Sequence, residues 1–169
     1  MTETKPAIDK RRIARDRILA DRTIWRALVD DVGPDRMELP GPMGDWTFKD
    51  LASHLGGWRI RRVVQLEAFA RGEPEPADPW PPELEDDDSI NAWIQAKDRN
   101  RSATDVVSDY ASSFERLAGA LDTLPDDVVD DPDLLPWTEG AALLDADFGG
   151  HMREHVSDAR EWLARLRGA

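Results

Sequence analysis

A chain of 169 residues with 22 basic against 35 acidic side chains carries a formal charge of −13, which repels a phosphate backbone and argues against a nucleic-acid partner. It has no cysteine, which excludes disulfides, thiolate metal ligands and a cysteine nucleophile, so any thiol chemistry needs a thiol brought by a cosubstrate. No run of about 18 apolar residues is present to span a membrane, and the opening MTETKPAIDKRR lacks the apolar centre of a secretory signal; a cytoplasmic protein is expected, folded as a single domain over residues 1–169.

The first periodic segment runs from about Ile8 to Val32, with Ala14, Ile18, Trp25, Leu28, Val29 and Val32 on one face, and Gly33-Pro34 ends it. Lys5, Lys10, Arg11, Arg12, Arg15 and Arg17 cluster at its start and read as a solvated helix end. After the loop LPGPMGDW, Thr47 is placed to cap a second helix, with Asp50 as an acidic variant of the capping box. That helix reaches about Arg71 and turns Phe48, Leu51, Leu55, Trp58, Val63 and Leu66 to the core. Residues 72–88 hold five prolines and eight acidic side chains and read as a solvated linker.

A third helical pattern opens near Asp88 or Ser89 with Ile90, Trp93 and Ile94. It is prone to break between Asn100 and Thr104, where Ser102 or Thr104 fits a cap, and continues through Val106, Val107, Tyr110, Phe114, Leu117 and Leu121. Pro125, Pro132 and Pro136 mark another loop, and Thr138 opens a last helix to about Arg167. No alternating run is long enough to predict a strand. The expected fold is all-α: a four-helix bundle with long loops between helices 2 and 3 and between helices 3 and 4. Trp25, Trp93 and Trp162 fall at helical positions suited to packing anchors. The glycine pairs Gly56-Gly57 and Gly149-Gly150 are expected inside helices, where close approach of a backbone or ligand offsets their cost.

All three histidines lie where a bundle could use them on one metal ion. His151 and His155 are four residues apart, so they project from one helix face roughly 6 Å apart. They adjoin the stripe of Phe148, Met152, Val156, Ala159, Leu163 and Leu166, which predicts that both rings face inward. His54, between Leu51, Leu55 and Trp58, would add a third imidazole from a facing helix. Three such ligands leave coordination positions open, as catalytic sites do; the competing reading is three hydrogen-bonded core histidines. The imidazole set suits zinc, nickel, copper or iron, zinc and nickel foremost. Trp58 and Arg62 follow His54 at i+4 and i+8, making an aromatic wall and a cation that could hold a substrate carboxylate; an ion pair with an acidic neighbour is the alternative for Arg62.

HMREH also fits the H-x-x-E-H pattern of zinc proteases, with Glu154 as base, but only 14 residues follow His155 and no strand-built cleft is evident. Glu154 is expected on the helix surface. There is no G-x-S-x-G elbow and no phosphate-binding glycine loop, so neither a serine nucleophile nor nucleotide chemistry is supported.

GDWTFKDLASHLGGW together with HMREHVSDAREWL resembles the DinB-like superfamily, in the branch of mycothiol-dependent maleylpyruvate isomerase N-terminal domains and ClbS/DfsB-type bundles. The resemblance follows most of the chain in helix order and is most specific in those two segments. It implies that His54, His151 and His155 bind a divalent ion. It further implies a metal-dependent enzyme acting on a small electrophilic molecule, as a thiol-dependent transferase or isomerase, or as a hydrolase. A low-molecular-weight thiol is the implied cosubstrate, a small molecule the partner, and a homodimer the assembly. Some ClbS/DfsB-like members work without metal, which keeps a noncatalytic binding or sequestering bundle as the alternative.

Overall fold

A computed structural model of the protein describes residues 9–129, 144 and 146–168. Among them are five helices: α1 (Lys10–Val32), α2 (Phe48–Ala70), α3 (Asp87–Asp98), α4 (Ala103–Asp122) and α5 (Gly150–Gly168). The fold is all-α apart from a small antiparallel ribbon in which β1 (Pro40–Met43) pairs with β2 (Trp46–Thr47). Strands of four and two residues are too short to register as alternation in the sequence. Gly44, at φ 61°, supplies the left-handed residue that their two-residue turn requires. None of the described helices is long and apolar enough to cross a membrane.

Local chemistry sets the helix ends. Thr47 Oγ1 accepts the Asp50 N–H at 3.1 Å while the Asp50 carboxylate accepts the Thr47 N–H at 2.9 Å, the reciprocal capping box that the sequence predicts. The third expected helix is two helices. Ser102 breaks it by taking the Asp105 N–H at 3.1 Å and starting α4. The last helix is also corrected: Ala146–Gly149 is not helical, so α5 begins at Gly150 and Gly149 precedes it. The expected start at Thr138 lies outside the described residues.

Trp25 holds the main core together. It is fully buried, stacks on Phe48 of α2 at 5.1 Å and meets the Tyr110 ring of α4 edge-on at 4.7 Å, so one side chain joins three helices. Arg59 is buried beside them with its guanidinium 3.9 Å from the Phe114 ring centroid. Two contacts fix α5. Arg153 reaches the buried Asp21 of α1 at 2.6 Å, and the Trp162 indole N–H donates to the Pro40 carbonyl of β1 at 3.0 Å. Arg11 and Arg15, expected in solvent, pair with Asp126 and Asp122 beyond and at the end of α4.

Residues 72–88 are not simply a solvated linker. Trp80 is buried and forms a second small core with Ile90 and Ile94, against which Trp58 and Trp93 pack. The acidic side chains of this segment bind back onto α2, Asp78 to Arg61 at 2.6 Å and Glu75 to Gln65 at 2.9 Å. The segment has no regular structure, but one indole and two carboxylates anchor it. Gly57 lets α2 and α3 close on each other here, since a Cβ at that position would lie 2.6–2.9 Å from three atoms of the fully buried Ile94 side chain. A Cβ at the neighbouring Gly56 would meet Tyr110 at an ordinary 3.8 Å. Gly57→Ala should therefore cost about 1–3 kcal/mol by overpacking, whereas Gly56→Ala should be neutral or stabilising by up to about 1 kcal/mol; urea unfolding of the two variants checks the contrast.

Candidate metal centre

His54 is buried on α2, and the anchored first half of α5 presents His151 and His155 to it. Met152, Val156, Ala159 and Leu163 fill the core, leaving the two histidines along the edge of that stripe. The inward orientation expected of both rings is thereby corrected: His151 is exposed and His155 half-buried. Their Nε2 atoms nevertheless converge. His54 Nε2 lies 2.9 Å from His151 Nε2, and His151 Nε2 lies 3.1 Å from His155 Nε2. One ligand atom from each of the three imidazoles falls within 4.8 Å of the others. Nitrogens about 2.0–2.1 Å from one ion are separated by roughly 2.9–3.4 Å when they occupy adjacent coordination positions. The donor set and the two close spacings therefore fit a divalent transition metal.

The tautomer of His54 follows from its neighbours. The indole N–H of Trp58 can only donate, and it lies 2.8 Å from Asn91 Oδ1, which fixes that atom as the carbonyl oxygen. The same oxygen is 2.9 Å from His54 Nδ1 and can only accept, so Nδ1 carries the proton. The lone pair of His54 is thus on Nε2, facing the other two imidazoles. An outer partner that orients a ligand and sets its tautomer is characteristic of histidine metal sites. Sequence reasoning missed Asn91, because a single polar residue beside Ile90 and Ile94 on a short helix carries no motif. The Trp46 ring closes another side of His54, 5.8 Å away and edge-on.

The imidazoles are held neutral, as ligation requires. Burial pushes the His54 pKa down to about 4, with His151 and His155 acting in the same direction and the Asn91 hydrogen bond opposing it. Partial desolvation and the neighbouring His155 lower His151 as well, and desolvation lowers His155. Because folding depresses these pKa values, the unfolded chain takes up protons first as pH falls. The metal-free protein should therefore lose stability between pH 6.5 and about pH 4, on top of the carboxylate contribution. Thermal melts of chelator-treated protein across that window check this, and His54→Ala should have the shallower slope.

Beside the triad opens a cavity of about 560 Å³ whose lining includes Trp58, Arg61, Arg62, Asp87 and Asn91. The two sequence-predicted substrate residues, Trp58 and Arg62, thus border the same space as His54, His151 and His155. Arg62 also approaches Gln65 Oε1 at 3.4 Å. Arg61, which the sequence did not single out, pairs with Asp78 and lies over the Trp80 ring at 5.3 Å. Glu154 is exposed on α5 and does not border the cavity.

Three convergent imidazoles at the edge of a cavity in an all-α protein make a candidate metal-binding site. The chain belongs to the mycothiol maleylpyruvate isomerase N-terminal domain family, whose model matches residues 18–160 and so takes in all three histidines. Comparison with curated proteins finds no match, and comparison with solved structures finds none.

If Asn91 Oδ1 holds the His54 tautomer, Asn91→Ala should weaken metal binding about 10–100-fold with all three histidines present. A competition titration against a chelator of known affinity reads this.

Proposed function

We propose that the protein is a metal-dependent enzyme acting on a small electrophile that carries a carboxylate. The observation behind this reading is the placement of three convergent imidazoles, an indole and two guanidinium side chains around one cavity. His54, His151 and His155 would hold the metal, with zinc or nickel the best match to three nitrogen donors. When bound, such an ion supplies a Lewis acid that polarises a carbonyl or lowers the pKa of a water or thiol.

The chain's own residues do the rest. Asn91 keeps the Nε2 lone pair of His54 toward the centre, and burial keeps the imidazoles unprotonated at neutral pH. Trp58 gives the substrate an apolar wall, held by its bond to Asn91. Arg62 can take the substrate carboxylate bidentately. With no cysteine in the chain, a thiol nucleophile would come from a low-molecular-weight cosubstrate, making the reaction a transfer or isomerisation; with water as nucleophile it is a hydrolysis.

The fold reading extends in the same way. We propose that α1, α2, α4 and α5 form a DinB-like four-helix bundle, with α3 as an added short helix. In support, α1 packs on α4 and α5, and α2 packs on the same two.

Turnover of carboxylate-bearing electrophiles by zinc- or nickel-loaded protein, with and without thiol, tests the activity; binding without turnover would favour a sequestering protein. Arg62→Ala should then lower kcat/KM for a carboxylate substrate by about 1.5–3 kcal/mol of transition-state stabilisation. The loss should be much smaller for the neutral amide, with metal content unchanged. Equal losses on both would return Arg62 to a structural role.

A further inference from the structure

On another face of α2, a second cavity of about 450 Å³ lies between α2, α3 and α4. That is within the range of small-molecule sites, about 300–1,000 Å³. Ile60, Trp80, Trp93, Ile94 and Val106 supply apolar walls; at Gly56 the α2 backbone itself is the wall, while at Gly57 the Ile94 side chain packs against it. Two indoles beside Gly56, where α2 presents no side chain, leave a space suited to a flat ring system. A partition separates it from the histidine cavity: Trp58 lines the first cavity, Trp80 lines the second, and the two rings meet at 4.9 Å and 62°.

The charged groups of this cavity lie along one side, and most of them are already paired. Asp98 is buried and already accepts from Ser53 Oγ at 2.7 Å, Lys97 at 3.2 Å and Arg101 at 3.3 Å, so it calls for no cation from a ligand. Lys97, Arg101 and Arg116 face two carboxylates, Asp98 and Asp109, in the lining. Arg101 spans both of those acids, and Arg116 is held by Glu67. Lys97 remains half-exposed at the rim with three donors on one carboxylate partner. Three cations thus meet three carboxylates, Asp98, Asp109 and Glu67, so on a chain of net charge −13 this rim is locally balanced, and Lys97 keeps donors for a further acceptor.

We propose that this cavity is a second small-molecule site, for a flat apolar molecule bearing one carboxylate. The apolar body lies among Trp80, Trp93 and Ile94, and the carboxylate lies toward Lys97. The site stands independently of the metal centre.

The probe is naphthoate, titrated by calorimetry into zinc-loaded and into chelator-stripped protein, with naphthyl methyl ketone as its uncharged counterpart. One molecule should bind per chain, equally in both preparations. Gly56→Leu sends a side chain into the cavity, and its Cβ meets only Tyr110 at 3.8 Å; it also removes a glycine from a helix interior, so Tm should hold or rise. Naphthoate binding should nevertheless weaken by about tenfold or more. Lys97→Glu should weaken naphthoate by about threefold to fivefold and leave the ketone unchanged. Absence of saturable binding, binding that requires zinc, or binding that Gly56→Leu leaves intact would each overturn the site. Equal affinity for naphthoate and the ketone would overturn the carboxylate assignment.

Discussion

One oxygen atom, Asn91 Oδ1, takes two hydrogens at once, and the chemistry of the histidine cluster depends on it. Trp58 donates to it from one side and His54 from the other, at 2.8 and 2.9 Å. Because an indole N–H has no other role, the amide orientation, the His54 tautomer and the direction of its lone pair follow in sequence. The same bonds tie α3 to α2, so the short helix that interrupts the expected four-helix pattern is also the one that orders the site. Helix packing and ligand orientation therefore rest on the same contacts.

Patterns of period and spacing carried most of the helical architecture. The Thr47-Asp50 cap, the apolar face of α1 and the break before α4 were legible because each is a local instruction written within a few residues. His54, His151 and His155 were legible as a set because three histidines in the chain left few combinations, and the HMREH spacing puts two on one face. The misses share a different cause. Trp80 sits in a proline-rich acidic stretch whose composition reads as solvated, and only packing against Ile90 and Ile94 reveals it as core. Asn91 and Arg61 act through partners 37 and 17 residues away in the chain, His54 and Asp78, which no local window joins. Phe148 fits the apolar period of α5, which extends the expected last helix through Ala146–Gly149, although that stretch is not helical.

The site balances opposing electrostatic demands. Three imidazoles packed so closely cannot all be protonated without repulsion, and burial adds to the bias toward the neutral form. His151 Nε2 lies between His54 Nε2 at 2.9 Å and His155 Nε2 at 3.1 Å; in a neutral ring it can donate to the first or accept from the second but not both, and a cation bound by all three removes that conflict. Arg61 and Arg62 border the same cavity together with Asp87, and Asp78 pairs with Arg61, so both signs of charge stand at its edge.

The central claim is that the three histidines hold one metal ion, and zinc titration of untagged, chelator-stripped protein tests it most directly. Calorimetry should show one zinc per chain for the unaltered protein, and sharply weakened binding when His54, His151 or His155 is singly replaced by alanine, because two imidazoles hold the ion much less firmly than three. Full-stoichiometry, unweakened zinc binding in the His54→Ala protein, or no saturable binding by the unaltered chain, would contradict the account.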